Sequence, residues 1–131
     1  MPKEKIIVLM GSKRDHEFAS RIGNFLKEEG FPVACDYNVV SAHKTPKKLL
    51  EDLQEYEKSG DNIVLITVAG LSDALSGVVA GYTKYPVIAC PPDSEKYGVA
   101  KIFSSVATPK GIAVAYIPEP ENAAFAAVKI L

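Results

Sequence analysis

Ile6-Ile7-Val8-Leu9-Met10-Gly11-Ser12-Lys13-Arg14-Asp15 is an unbroken apolar run that ends in a glycine-led polar turn. No polar residue alternates through the run. It reads as a strand covered on both faces, which is how strands of a parallel sheet are buried. Parallel neighbours need long crossover connections, usually helices. The turn leads into Phe18, Ala19, Ile22, Phe25 and Leu26 at helical spacing, with Lys27, Glu28 and Glu29 on the polar side and Gly30 as a C-terminal stop.

The same strand–turn–helix unit recurs along the chain. Residues 31–40 are extended, with Val33, Cys35, Tyr37 and Val39 alternating along one face. Ser41-Ala42-His43-Lys44-Thr45-Pro46 ends that stretch, where Thr45 suits an N-cap and Pro46 a first helical position. Leu49, Leu50, Leu53 and Tyr56 mark a helix that stops near Ser59-Gly60. Residues 63–68 form a third buried strand, followed by Ala69-Gly70-Leu71-Ser72-Asp73 and a helix of small residues from Ala74 to Tyr82. Residues 86–90 give a fourth strand stopped by Pro91-Pro92, residues 102–106 a short helix, and residues 112–117 a fifth strand. Pro120 opens a last helix with Ala124, Phe125, Val128 and Leu131 as its apolar stripe. This alternation predicts an α/β fold. It is a flavodoxin-like three-layer αβα sandwich with a parallel five-stranded sheet in the order 2-1-3-4-5. Ligands of such sheets bind beyond the carboxyl ends of the strands, where the strand order reverses. Residues 11–15, 41–44, 70–73 and 91–93 are the loops expected on that edge.

The 131 residues are expected to form one domain, 1–131, with no internal repeat or linker. A formal charge of −1 without a Lys/Arg block predicts no nucleic-acid partner, so an anionic ligand must be held by a few local groups. No apolar run approaches the roughly 20 residues of a membrane span, and no secretory signal precedes Gly11, so no membrane partner and a cytoplasmic location are expected. The apolar end of the last helix, at Leu131, is an expected contact with a neighbouring subunit. Cys35 and Cys90 lack a CxxC or Cys/His pattern and read as buried free thiols, with a disulfide as the other reading. No metal-ligand spacing, GxGxxG or P-loop occurs, so no metal and no cofactor are expected.

Several side chains on the predicted edge could carry chemistry, and each has a plainer reading beside it. Ser12 and Asp15 follow a glycine turn that opens onto a helix N-terminus, a setting that favours phosphate. Asp15 would accept hydrogen bonds from ribose hydroxyls, or one of the two simply caps the helix. His43 is one of two histidines. Its imidazole can give and take a proton near neutrality, or it is a surface or capping group. Lys44 meets a phosphate or carboxylate, or solvates the surface. Ser41 donates to a phosphate, or is a turn hydroxyl. His16 reads as a solvated first-turn histidine. Gly70, Leu71 and Ser72 head a small-residue stretch that ends at Gly77: a tight pocket wall offering backbone N–H groups, or close helix–strand packing. No aromatic residue flanks these loops to stack a flavin.

Together these motifs resemble the phosphoribosylaminoimidazole carboxylases of purine biosynthesis and their sister mutases, from Met10 to Leu131. The family pattern G-S-x-S-D corresponds to Gly11-Ser12-Lys13-Arg14-Asp15, and S-A-H-[RK]-T to Ser41-Ala42-His43-Lys44-Thr45. The A-G loop, the Pro-Val-Ile strand and an Asn-Ala pair correspond to Ala69-Gly70, Pro86-Val87-Ile88 and Asn122-Ala123. Lys44 and Ile88-Ala89-Cys90-Pro91-Pro92 resemble the class that takes CO2 directly. Ala74 stands where the mutase class has a second histidine. Arg14, Leu71 and Asp73 depart from the family's serine, arginine and asparagine. The resemblance implies 5-aminoimidazole ribonucleotide as substrate, carboxylated by CO2 without a cofactor, in a homo-octamer or a tetramer whose sites draw on more than one subunit. It implies proton transfer at His43 and substrate contacts at Ser12, Asp15, Ser41, Lys44, Gly70, Leu71 and Ser72. The alternatives are the mutase reaction and a non-catalytic flavodoxin-like binding domain.

Overall fold

The computed structural model describes residues 1–93 and 96–131. Five strands form one parallel sheet: β1 (Glu4–Met10), β2 (Ala34–Val39), β3 (Asn62–Val68), β4 (Val87–Ala89) and β5 (Ala115–Tyr116). Their order is β2-β1-β3-β4-β5 and every pairing is parallel. Helices α1 (His16–Glu28), α2 (Pro46–Ser59), α3 (Ala74–Tyr82), α4 (Phe103–Val106) and α5 (Pro120–Ile130) connect and flank the strands. The expected order and fold class are therefore observed.

The central strands explain the unbroken apolar runs. Ile6, Val8, Val64 and Ile66 point into one core, with Ile22 of α1 and Ala123, Ala124 and Ala127 of α5. Ile7, Leu9, Ile63 and Leu65 point into the opposite core, with Leu49 and Leu53 of α2 and Leu75 and Val79 of α3. Period-2 alternation thus feeds two apolar faces rather than one apolar and one wet face. β2 is one of the two edge strands and keeps the alternation only in part. Cys35 and Tyr37 pack on the first core, whereas Val39 is exposed.

Helix boundaries follow local chemistry. α1 carries Glu17 in its first turn and Lys27 in its last, which suits the helix dipole. Gly60 closes α2 at φ 71°, a left-handed angle that glycine adopts without a Cβ clash. Gly23 is needed for another reason: its N–H donates to Tyr37 Oη at 3.0 Å, and a Cβ there would sit 2.4 Å from that oxygen.

Two expectations are corrected at the C-terminal side. The fifth strand pairs over only two residues, because β4 offers it a short edge of three. The stripe of α5 is Ala123, Ala124 and Ala127, with Val128 and Leu131 packed against the same core as expected, while Phe125 is exposed and lies against Phe25 and Phe31. Alanines let α5 approach α1 closely. Across that approach Arg21 donates from Nε to Glu121 at 2.9 Å and from a terminal nitrogen to Glu119. The Arg21 hydrogen bond holds the Glu121 carboxyl down at about 2.

Both thiols are free, Cys35 half-buried and Cys90 buried. Burial pushes the Cys90 thiol up to about 12.

Candidate active site

The loops after β1, β2, β3 and β4 enclose one cleft of about 700 Å³ at the carboxyl edge of the sheet. That volume suits a small-molecule ligand. β1 and β3 are neighbours there, while the chain leaves them toward opposite faces, which is the switch point where such sheets bind ligands. Every candidate from the sequence lines this cleft: Ser12, Asp15, Ser41, His43, Lys44, Gly70, Leu71 and Ser72.

In the β1 loop the two polar candidates are placed differently. Ser12 Oγ accepts from Arg14 N at 3.2 Å and so caps the single turn before α1. Asp15 occupies the N-cap position of α1 but makes no side-chain capping bond. Its carboxylate instead faces the cleft, where burial raises its pKa and the Arg14 guanidinium opposes the rise. Gly11 carries a conformation open to any residue, and a Cβ there would make only ordinary contact with Ala69 at 3.7 Å. The protein's own packing therefore does not require this glycine, whereas close approach of a ligand to the backbone would.

The β2 loop is closed by its own residues. Ser41 Oγ accepts from Lys44 N at 3.0 Å, Thr45 Oγ1 accepts from Ser41 N at 2.9 Å, and Thr45 N donates to Ser41 O at 2.9 Å. Thr45 is the N-cap residue of α2 as expected, but its hydroxyl closes this turn and does not cap the helix. The result is a rigid platform from which His43 and Lys44 project, both exposed and both on the cleft. No protein group hydrogen-bonds the His43 imidazole among the described residues.

The β3 loop departs from expectation. Gly70, Leu71 and Ser72 line the cleft, but Asp73 does not. It is 2% exposed and caps α3 by accepting from Ser76 N at 3.0 Å. Leu71 is left-handed at φ 58° and half exposed. From the loop after β4, Pro92 and Asp93 line the cleft, while Pro91 is buried. His16 lies outside it, against the Tyr37 ring at 5.8 Å between centroids.

Sequence reasoning passed over Phe18 and Lys96, which also line the cleft, and placed Asp93 on this edge without giving it a role. Phe18 was hidden in the helical stripe of α1, although its place one turn into the helix was a usable signal; the loops thus do have an aromatic neighbour. Lys96 lies in a stretch with no periodic signal. Among the described residues, three cations, Arg14, Lys44 and Lys96, and two carboxylates, Asp15 and Asp93, line the cleft. That local balance suits an anionic ligand. Among the described residues no group of three or more His, Cys, Asp or Glu could hold a metal ion, and no helix is long and apolar enough to cross a membrane.

Sheet order and cleft together define an α/β protein of the flavodoxin-like type with a cleft at its switch point. Comparison with known proteins narrows this class. The AIR carboxylase family model matches residues 5–131. The phosphoribosylaminoimidazole carboxylase of Archaeoglobus fulgidus is 47% identical over 126 residues, covering 96% of this chain and 68% of that protein. A human bifunctional phosphoribosylaminoimidazole carboxylase/phosphoribosylaminoimidazole succinocarboxamide synthetase is 38% identical over 126 residues, which make up 29% of its length. The crystal structure of Treponema denticola PurE superposes with a TM-score of 0.92 at 41% identity, covering 98% of this chain and 80% of that one. The chain belongs to the AIR carboxylase family, a family of enzymes.

Proposed function

We propose that the chain carboxylates 5-aminoimidazole ribonucleotide at ring carbon 4 with CO2, reversibly, in de novo purine biosynthesis. The observation that carries this reading is the convergence of Ser41, His43 and Lys44 with Ser12, Asp15 and Gly70 on one cleft of a family member. The 5-amino group makes carbon 4 an enamine-like nucleophile. Its electron pair forms the new bond to CO2, and one C=O pair of CO2 moves to oxygen as the carboxylate. The proton on the now tetrahedral carbon 4 must then leave to restore aromaticity. His43 takes that proton, directly or through the substrate amine, and returns it in the reverse direction. Such a step asks the protein mainly for positioning plus one acid–base group, and the nucleophilic ring makes activation by ATP unnecessary.

The remaining groups divide the ligand between them. Ser12 and Asp15 hold the ribose phosphate end, and Ser41 and Lys44 meet phosphate. Lys44 also favours the product carboxylate. Gly70, Leu71 and Ser72 form the wall against which CO2 and the imidazole lie. Lys44 and Ala74 support the direct carboxylase over the mutase, which would need a group at position 74 able to move a proton. The working protein is a cytoplasmic homo-octamer, or a tetramer, of single-domain subunits.

Supplying the amine with bicarbonate/CO2, and separately the N-carboxylated ribonucleotide, tests the reading by the ultraviolet change on carboxylation. Turnover with the amine and CO2 is expected. Turnover only from the N-carboxylated compound would establish the mutase, and ligand-induced stabilisation without any turnover would favour a binding domain. Sedimentation measures the assembly.

A further inference from the structure

Asp73 is the most deeply buried carboxylate beside the cleft, and the proton transfer above does not use it. It forms no salt bridge among the described residues. Burying an ionised carboxylate is unfavourable unless donors replace its water. Here they come from two elements. Ser76 of α3 donates from N at 3.0 Å and from Oγ at 2.5 Å, and Ser105 of α4 donates from Oγ at 2.7 Å. The backbone of Asp73 joins the same network, its N–H donating to Ser104 Oγ at 2.8 Å. Ser104 Oγ in turn donates to Lys101 O at 2.8 Å, and Lys101 Nζ donates to the carbonyl of Pro92. One face of the segment 98–106 therefore grips the loop after β3 through Asp73 and the loop after β4 through Pro92.

Two residues before Asp73 stands Leu71, a branched residue in left-handed backbone with its side chain on the cleft. That conformation is unfavourable for a residue with a Cβ and persists only where the surroundings fix it. The last anchored residue before it is Val68 at the end of β3, whose carbonyl accepts from Gly11 N at 2.9 Å, and Asp73 is the next fixed point. The strain at Leu71 is thus held between them.

We infer that Asp73 is a positioning residue for the carboxylation: clamped by Ser76, Ser104 and Ser105, it holds Leu71 and the 70–72 wall in register with His43 across the cleft. This rests on the carboxylase reading. Helix capping alone would serve α3 without α4. The clamp to Ser104 and Ser105 crosses to a second element and fixes the loop from the far side. Removing it loosens one wall of the CO2 site and leaves the phosphate end, built by other loops, in place.

The test compares wild type, Asp73→Ala, Asp73→Asn and Ser105→Ala. Asparagine keeps an oxygen for the Ser76 amide and for one hydroxyl. Asp73→Ala is expected to lower kcat/KM for CO2 by about tenfold or more, with the KM for the aminoimidazole ribonucleotide moving less than about threefold. Asp73→Asn is expected to recover most of that loss. Amide hydrogen exchange should quicken at residues 70–72 in Asp73→Ala while residues 41–44 stay as in wild type. Unchanged exchange at 70–72, or equal losses for both substrates, would overturn the assignment. Should Asp73→Ala fail to fold, Ser105→Ala takes its place: faster exchange at 70–72 with a selective loss for CO2 supports the clamp, and unchanged exchange or equal losses overturn it. A wild-type protein that turned over neither compound would fail the carboxylase reading. The exchange result would still decide for or against the clamp, since it needs no substrate.

Discussion

The loops after β2 and β3 face each other across the cleft, yet they are held in opposite ways. The β2 loop closes on itself: its bonds join Ser41 to Lys44 and Thr45, three and four residues apart. The β3 loop is held by α4, through partners 31 and 32 residues from Asp73. The first presents an exposed imidazole and ammonium on a turn that needs little beyond its own sequence. The second adds to its local bonds with Ser76 a set that exists because the fold delivers α4 to its side. A self-closed loop suits a group that must move protons in contact with solvent. A tertiary clamp suits a wall whose shape must be fixed.

The largest effect that could break this contrast lies at His43. His43→Asn is expected to reduce carboxylation by about 10²–10⁴-fold while leaving stability unchanged, because the side chain is exposed and has no protein partner among the described residues. Initial rates and a denaturation curve measure the two together, and near-normal rates would remove the residue from the mechanism.

Next in size is the stability difference between the loops. Asp73→Ala leaves the Ser105 hydroxyl and the Ser76 amide without their acceptor inside the protein, at an expected cost of about 1–3 kcal/mol. Ser41→Ala removes one bond at a half-exposed turn, with an expected cost of about 0.5–1.5 kcal/mol. Urea unfolding with unchanged m-values compares them, and equal costs would erase the distinction between tertiary and local restraint.

Lys44→Ala is expected to weaken apparent affinity for the ribonucleotide by about tenfold, the scale of one charge-assisted hydrogen bond, with a smaller change in kcat. Equal affinity for wild type and variant in a titration would contradict its contact with phosphate.

The smallest effect concerns Asp15, on the third side of the cleft. Burial raises its folded-state pKa above the ordinary 3.8, so the folded protein holds the proton more tightly than the unfolded chain. The stability linked to that proton is present below 3.8 and is lost as pH rises through the folded-state value. Asp15→Asn should therefore be slightly more stable than the parent at neutral pH, with the advantage fading as pH falls toward 3.8. Thermal melts across that range check the sign.

The contrast also explains how far the sequence could be read. Ile6 to Met10 and Ile63 to Val68 announce two-sided burial by composition alone, and the helices between them follow from periodicity and capping. The cleft residues on loops after strands were legible because the topology brings those loops to one edge. Phe18 was read as core because a helical stripe does not say where the layer ends. Asp73 was read as part of the pocket wall because nothing within its own loop tells of Ser104 and Ser105.

By itself the sequence determined the alternating strands and helices, the parallel order they impose, and the place of His43 and Lys44 on a loop between strand and helix. Each depends on interactions between near neighbours or on a repeated apolar pattern, and both are written in the local order of residues. Only the tertiary structure decided which side chains of the β3 loop meet the cleft, how long the edge strands run, and which carboxylate stays open to a ligand. Those outcomes depend on which distant segment arrives to cover or to bond a given group, and burial and hydrogen-bond satisfaction then choose between alternatives that look the same along the chain.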